Sequence, residues 1–260
     1  MWKPAARVYF LVCLALARLL RAATYSRARV VCRGGELQVY KRRLFYAPLL
    51  VWMGGAVVWL LDTGVRVLPQ RDWEERERSV YRSLHGASIR VEAGGTLALP
   101  RLRGETLAGL LEDAELEEPM RKAGIEHAVV ALAALHRRGL THADAMADNV
   151  LVDLETCGAY WFDFETVHDE RRPMPWRRAD DLRALLATCL ARVAPQDRAT
   201  TLQAVLDAYP DEEVVALLPA SFASVWRRSL TFHLAQAGLS FECFGQVARL
   251  LGERIRDPGC

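Results

Sequence analysis

The spacing of apolar positions along this chain changes from about two residues to about four and back, and each change marks an element. Val30-Val31, Leu37 and Val39, on either side of Gly34-Gly35, predict a hairpin over Arg29–Arg43 whose second strand ends on Val39-Tyr40-Lys41. Trp73, Glu77, Val80, Tyr81 and Leu84 then fall on one face of a helix that Gly86 stops. Glu77 thus stands within an apolar stripe, whereas Glu74 and Glu75 lie at its edge or outside it, as ordinary solvated charges. Ile89 to Leu102 reads as a second strand pair around Gly94-Gly95, and Gly104-Glu105-Thr106 as a linker into helices running from Leu107 to Arg138.

Past Gly139 the pattern becomes short and polar. A loop from Leu140 to Asn149 leads into a strand at Val150-Leu151-Val152, a turn through Thr156-Cys157-Gly158 and a second strand from Ala159 to Glu165. From Arg178 onward the periodicity is helical, with breaks expected at Pro195, Pro210 and Pro219. This order predicts an α+β fold in two lobes, one over 29–103 and a helical one over 104–260 that carries the loop 142–149. A basic, apolar segment over 1–28 precedes them.

Charge and apolar runs refine that picture. Lys+Arg 34 against Asp+Glu 32 leave the chain at +2, too balanced for a nucleic-acid binder. Ten basic residues against the single Glu36 give residues 1–43 a local charge of +9, however. Two apolar runs accompany them. Val8 to Ala17 is too short to cross a bilayer, and Leu44 to Leu61, at 18 residues, is at the lower limit for a span and contains Pro48 and Gly54-Gly55. The second run reads as a helix buried in protein or lying in a membrane interface, and the basic leader fits an anionic membrane surface. Six cysteines without a C-x-x-C pair point to free thiols and a cytoplasmic address.

Candidate chemistry gathers after Gly139. Asp144 and Asn149 share one loop, and Asp163 closes the strand after a tight hairpin, so the three can face one site. Asn149 and Asp163 are the oxygen donors that Mg²⁺ takes beside substrate phosphates, and Asp144 is then left to act as base on an attacking hydroxyl. Lys41 supplies a cation for the phosphates, and Glu77 is placed to position it. His142, His168 and Asp169 form a rival set, that of a metal phosphohydrolase.

Together these residues resemble the protein-kinase-like superfamily, whose catalytic loop reads H-x-D-x-x-x-x-N and whose metal aspartate opens D-F-G. His142-Ala143-Asp144 with Asn149 is similar to the first motif and Asp163-Phe164-Glu165 to the second, while Asp180-Asp181-Leu182 resembles the aspartate-bearing start of a later helix. Only 17 residues separate Asp163 from Asp181, too few for a long activation segment, so the chain is most similar to the compact bacterial branch. That branch holds the lipopolysaccharide-core heptose and Kdo kinases and the RIO-like kinases.

The resemblance implies a kinase-like fold with a reduced N-lobe and a helical C-lobe. It also implies ATP and Mg²⁺ as cofactors, and a hydroxyl acceptor on a glycolipid sugar or a protein. Asp144, Lys41 and Glu77 would be catalytic, Lys41, Asn149 and Asp163 would bind the nucleotide and its metal, and His142 and Asp181 would support the loop. The implied address is peripheral on the cytoplasmic face of the inner membrane. There are departures. No G-x-G-x-x-G is present, Gly34-Gly35 being the nearest substitute for a phosphate loop, and Glu165 stands where the family has glycine. A kinase-like binding module without turnover is the alternative reading.

Overall fold

The Gly34-Gly35 turn sets the register of the first lobe. In the computed structural model, which describes residues 26–60, 64–92 and 94–222 and the isolated positions 8, 11, 247 and 249–252, both glycines have positive φ, 63° and 84°. That pair of angles matches the twist of a two-residue hairpin. It joins β1 (Ser26–Arg33) to β2 (Glu36–Arg43), antiparallel with Lys41 opposite Ala28. The pairing thus begins three residues earlier than the predicted Arg29. β4 (Arg90–Glu92) and β5 (Thr96–Pro100) complete a sheet of order β1-β2-β5-β4.

Between β2 and β4 the chain leaves the sheet for two helices and a short strand. Helix α1 (Ala47–Leu60) is the apolar insertion, and β3 (Val65–Val67) follows it. Helix α2 (Gln70–His85) ends on Gly86 in the left-handed conformation, and its Trp73, Glu77, Val80 and Tyr81 are buried as the stripe requires. Trp73, Tyr81, Ile89, Leu97 and Leu99 form the core of this lobe.

The second lobe is built on helices α3 (Leu107–Glu112), α4 (Glu118–Arg137), α5 (Met174–Arg192), α6 (Arg198–Ala208) and α7 (Glu212–Phe222). Its core runs through Leu107, Val129, Leu132, Leu182, Leu185 and Val205. Each fully buried Leu contributes about 2 kcal/mol of apolar transfer. β6 (Glu105–Thr106), β7 (Val150–Asp153) and β8 (Gly158–Trp161) form a small sheet against α4, and Trp161 donates its indole N–H to the Ala128 carbonyl at 3.3 Å.

Four expectations need correction, and one pairing is new. Glu105-Thr106 is not a free linker but a strand paired with Leu151 and Val152. The second strand of the loop hairpin stops at Trp161 rather than Glu165, because Asp163 takes a left-handed φ of 68° that ends the extended run. β9 (Thr166–His168) then pairs with β3, a contact between two short segments that no periodicity signals. α5 begins at Met174, with proline in its first turn, so Asp181 lies two turns inside the helix instead of at its start. Pro219 sits within α7 without ending it. The predicted Val8–Ala17 run lies outside the described residues except for Val8 and Leu11, both exposed.

Gly104 marks the passage between the lobes. Its φ is 102°, and a Cβ there would lie 2.4 Å from the Val152 carbonyl oxygen, a backbone atom held in the β6–β7 pairing. Gly104→Ala is therefore expected to destabilise the protein by about 2 kcal/mol or more. Denaturant unfolding monitored by circular dichroism measures it, and an unchanged midpoint would contradict the strained geometry.

Candidate active site

Lys41 is the last alternate residue of β2 before Arg43 on the inward face, and the chain buries its ammonium among three carboxylates. Its Nζ lies 3.8 Å from Glu77 Oε1 and 2.7 Å from Glu165 Oε1, and it donates to Asp163 Oδ1. The ring of Trp73 lies beneath at 5.2 Å. Burial works against the ammonium, but Asp163, Glu77 and Glu165 outweigh it and hold Lys41 above its ordinary range. The carboxylates are less well served, since one ammonium is shared among them. Burial pushes the Glu77 carboxyl up, Lys41 pulls it back and Asp163 adds to the rise, leaving it at about 7.

The second half of Glu77 faces the segment after β8: its Oε2 accepts the Phe164 N–H at 2.9 Å. Phe164 is fully buried, with its ring 4.5 Å from that of His142. Lys41, Glu77 and Asp163, which span 122 residues of sequence, therefore meet in one cluster.

The β7–β8 hairpin carries the other residues to the same place. Val150 pairs with Trp161, and the Phe162 N–H donates to the Asn149 carbonyl at 3.1 Å, so Asn149 and Asp163 leave the same end of the hairpin. Asn149 donates its side-chain amide to the Asp144 carbonyl at 2.8 Å and to Asp144 Oδ2 at 3.0 Å. With the nitrogen committed, the amide oxygen is the end left to accept a cation. That oxygen and the Asp163 carboxylate, whose side chain is 33% exposed, make the hard donor pair that suits Mg²⁺ completed by phosphates.

Asp181 organises the loop from behind. Its Oδ2 and Oδ1 accept the backbone N–H groups of His142 and Ala143, both at 2.7 Å, and His136 Nε2 donates to Oδ2 at 3.0 Å while Tyr209 donates to His136 Nδ1 at 2.6 Å. Ala143 is held at φ 66°, a strained angle for alanine, by a loop whose two successive N–H groups donate to one carboxylate. Burial opposes the Asp181 charge, but His168 and the hydrogen bond from His136 hold its carboxyl below the ordinary range. His142 donates Nε2–H to the Phe162 carbonyl at 2.8 Å, and burial pushes the imidazole down to about 4, so it is neutral.

The rival phosphohydrolase set does not assemble. His168 is occupied by Thr141 at 2.9 Å and Asp180 at 3.3 Å, Asp169 is bound by Arg171, and no group of three metal-ligating side chains occurs among the described residues.

Two further findings lay beyond the sequence reading. Glu165 joins the Lys41 cluster, and Arg43 packs over Trp73 at 4.6 Å with its Nη2 3.7 Å from Glu165 Oε2. The only hint was the alternation that puts Lys41 and Arg43 on one strand face. The Gly34-Gly35 turn, in contrast, lies six residues up the strand from Lys41, about 20 Å away, and cannot cover phosphates held there. It lines a cleft of about 880 Å³ with Leu37, Leu99, Arg101, Leu102 and Gly104, at the passage between the lobes.

A sheet lobe with a buried Lys–Glu pair, joined to a helical lobe whose loop 142–149 is anchored by Asp181, gives this chain a protein-kinase-like fold. Within that superfamily it resembles the lipopolysaccharide-core kinases: residues 104–209 match the model of the Lipopolysaccharide kinase (Kdo/WaaP) family. The matched stretch contains Asp144, Asn149, Asp163 and Asp181, while Lys41 and Glu77 rest on the geometry above. No curated protein gives a significant match to the chain.

His142 also sets an acid limit. Its proton is bound by the unfolded chain below about 6.5 but by the folded chain only below about 4. Its contribution is therefore fully present above 6.5 and is lost as pH falls through that window, up to about 3 kcal/mol. Asp181, with its lowered carboxyl, adds a further loss at lower pH. Unfolding free energies at about pH 7 and about pH 4.5 should differ less in His142→Gln than in the parent, and equal differences would contradict a neutral buried imidazole.

Proposed function

We propose that the chain is an ATP- and Mg²⁺-dependent phosphotransferase that passes the γ-phosphoryl group to a hydroxyl of a glycolipid sugar. The convergence of Lys41, Glu77 and Asp163 across the two lobes carries this reading, and the family match over the second lobe supports a kinase. The 880 Å³ cleft takes the base and leaves the phosphates beside Lys41, two residues along β2 from the Val39–Leu99 pair. Asn149 and Asp163 would hold the metal, which neutralises charge on the transferring group when bound. Asp144, half-buried and kept in place by the Asn149 amide, accepts the proton of the acceptor hydroxyl. His142, being neutral, adds no charge beside that base. The distance of the Gly34-Gly35 turn from Lys41 favours, as a second reading, a module that binds a nucleotide weakly and does not turn it over.

Transfer of ³²P from ATP to candidate acceptors, core glycolipid among them, decides between the two. Asp163→Ala should abolish transfer, and Asp144→Asn should lower it by on the order of 10²- to 10⁴-fold. Undiminished transfer by Asp163→Ala would remove the assignment, and nucleotide binding without transfer to any acceptor would favour the second reading.

The proposed place of work is an anionic membrane surface, to which the protein attaches peripherally. α1 is apolar along its whole length, and Leu49, Trp52 and Met53 are exposed on it, with Phe45 at 94% just before it. At about 21 Å the helix is shorter than a bilayer core, and no helix among the described residues is long and apolar enough to cross a membrane. Such a helix lies in the interface, where apolar burial contributes about 25 cal/mol per Å². Sedimentation with phosphatidylglycerol vesicles should fall on the order of tenfold in a Phe45→Ser/Trp52→Ser double variant and weaken in high salt. Equal sedimentation of parent and variant would contradict attachment through α1.

A further inference from the structure

We propose that Glu165, backed by Arg43, is the residue that positions Lys41 while the nucleotide is bound, a part it shares with Glu77 and for which it is the nearer of the two. The inference deepens the phosphotransferase reading and rests on it. Glu165 Oε1 lies 2.7 Å from the Lys41 ammonium, whereas Glu77 Oε1 lies 3.8 Å away and its other oxygen is committed to the Phe164 N–H.

The three carboxylates around Lys41 differ in their freedom to leave it. Asp163 is one-third exposed and is the one a metal would draw off; Glu165, at 6%, is enclosed. Its backbone is fixed as well, since the Leu68 N–H donates to the Glu165 carbonyl at 3.0 Å and the next residue enters the β3–β9 pairing. Arg43 closes the far side, anchored by Trp73 and by an Nη1 donation to the Leu68 carbonyl at 2.8 Å. When Asp163 turns to the metal, Lys41 retains two buried partners, Glu77 and Glu165, that hold its Nζ in place. A carboxylate at 165 therefore replaces conformational freedom with a fixed charge, and the residue is not among those with left-handed φ.

Lys41 contacts phosphates whose charge changes little as the γ-group moves, so its misplacement weakens ground and transition states alike and raises KM more than it lowers kcat. Glu165→Gln is expected to raise KM for Mg·ATP about tenfold with kcat within about threefold of the parent. Glu165→Asp, which keeps the charge on a shorter arm, should recover part of that loss. Arg43→Lys, which moves Glu165 while leaving Lys41, Glu77 and Asp163 unsubstituted, should raise the same constant several-fold and keeps the test open if the Gln variant does not fold. An unchanged KM in Glu165→Gln, or in Arg43→Lys where the former is unfolded, overturns the proposal while parent binding of Mg·ATP still supports the kinase reading. Parent protein that binds no Mg·ATP overturns both.

Discussion

An ammonium group withdrawn from water must be given carboxylates or lose its proton, and this molecule is arranged around that requirement. Lys41 lies on β2, Glu77 on α2, and Asp163 and Glu165 on the segment between β8 and β9. No one of these elements supplies enough charge alone. Only when the sheet, the helix and the segment after β8 close on one point is Lys41 satisfied, so its ion pairs determine how the lobes approach. Trp73 completes the arrangement, offering one aromatic face to both Lys41 and Arg43.

The loop 142–149 follows the same logic with the sign reversed. Asp181 is a buried carboxylate two turns inside α5, and the loop meets its need for donors with two backbone N–H groups and a histidine. The strain at Ala143 accompanies that arrangement. Asp144 emerges from a segment whose preceding two amides are already fixed, which is the pre-organisation that the proposed general base would require. Each lobe is thus organised around one buried charge, Lys41 in the first and Asp181 in the second.

Most of the elements could be read in the sequence because they have a single buried face. α2 showed its stripe through Trp73, Val80 and Tyr81, and the anomaly in that stripe, Glu77, was itself the sign of a buried ion pair. Asp144, Asn149 and Asp163 were legible because their spacing belongs to one loop and one hairpin. Glu165 was not legible as a partner of Lys41: its position carried a motif expectation of glycine, and the pairing spans sequence positions that share no period. The β3–β9 pairing was hidden for a related reason, since three-residue strands are too short to alternate visibly and are held by partners a hundred residues distant. The Gly34-Gly35 turn was legible as a turn but not in its location, which depends on strand length rather than on turn chemistry.

The insertion links surface and site. α1 leaves β2 just after Arg43 and the chain returns through β3 to Leu68, and the Arg43 side chain donates to the Leu68 carbonyl across the gap. Both ends of the excursion are thereby tied to the wall of the Lys41 cluster. A segment whose two flanks are hydrogen-bonded to each other leaves the lobe and rejoins it at one place. Any force on α1 would be borne by Arg43 at one end and by the β3–β9 ladder at the other, the two features that hold Glu165 against Lys41.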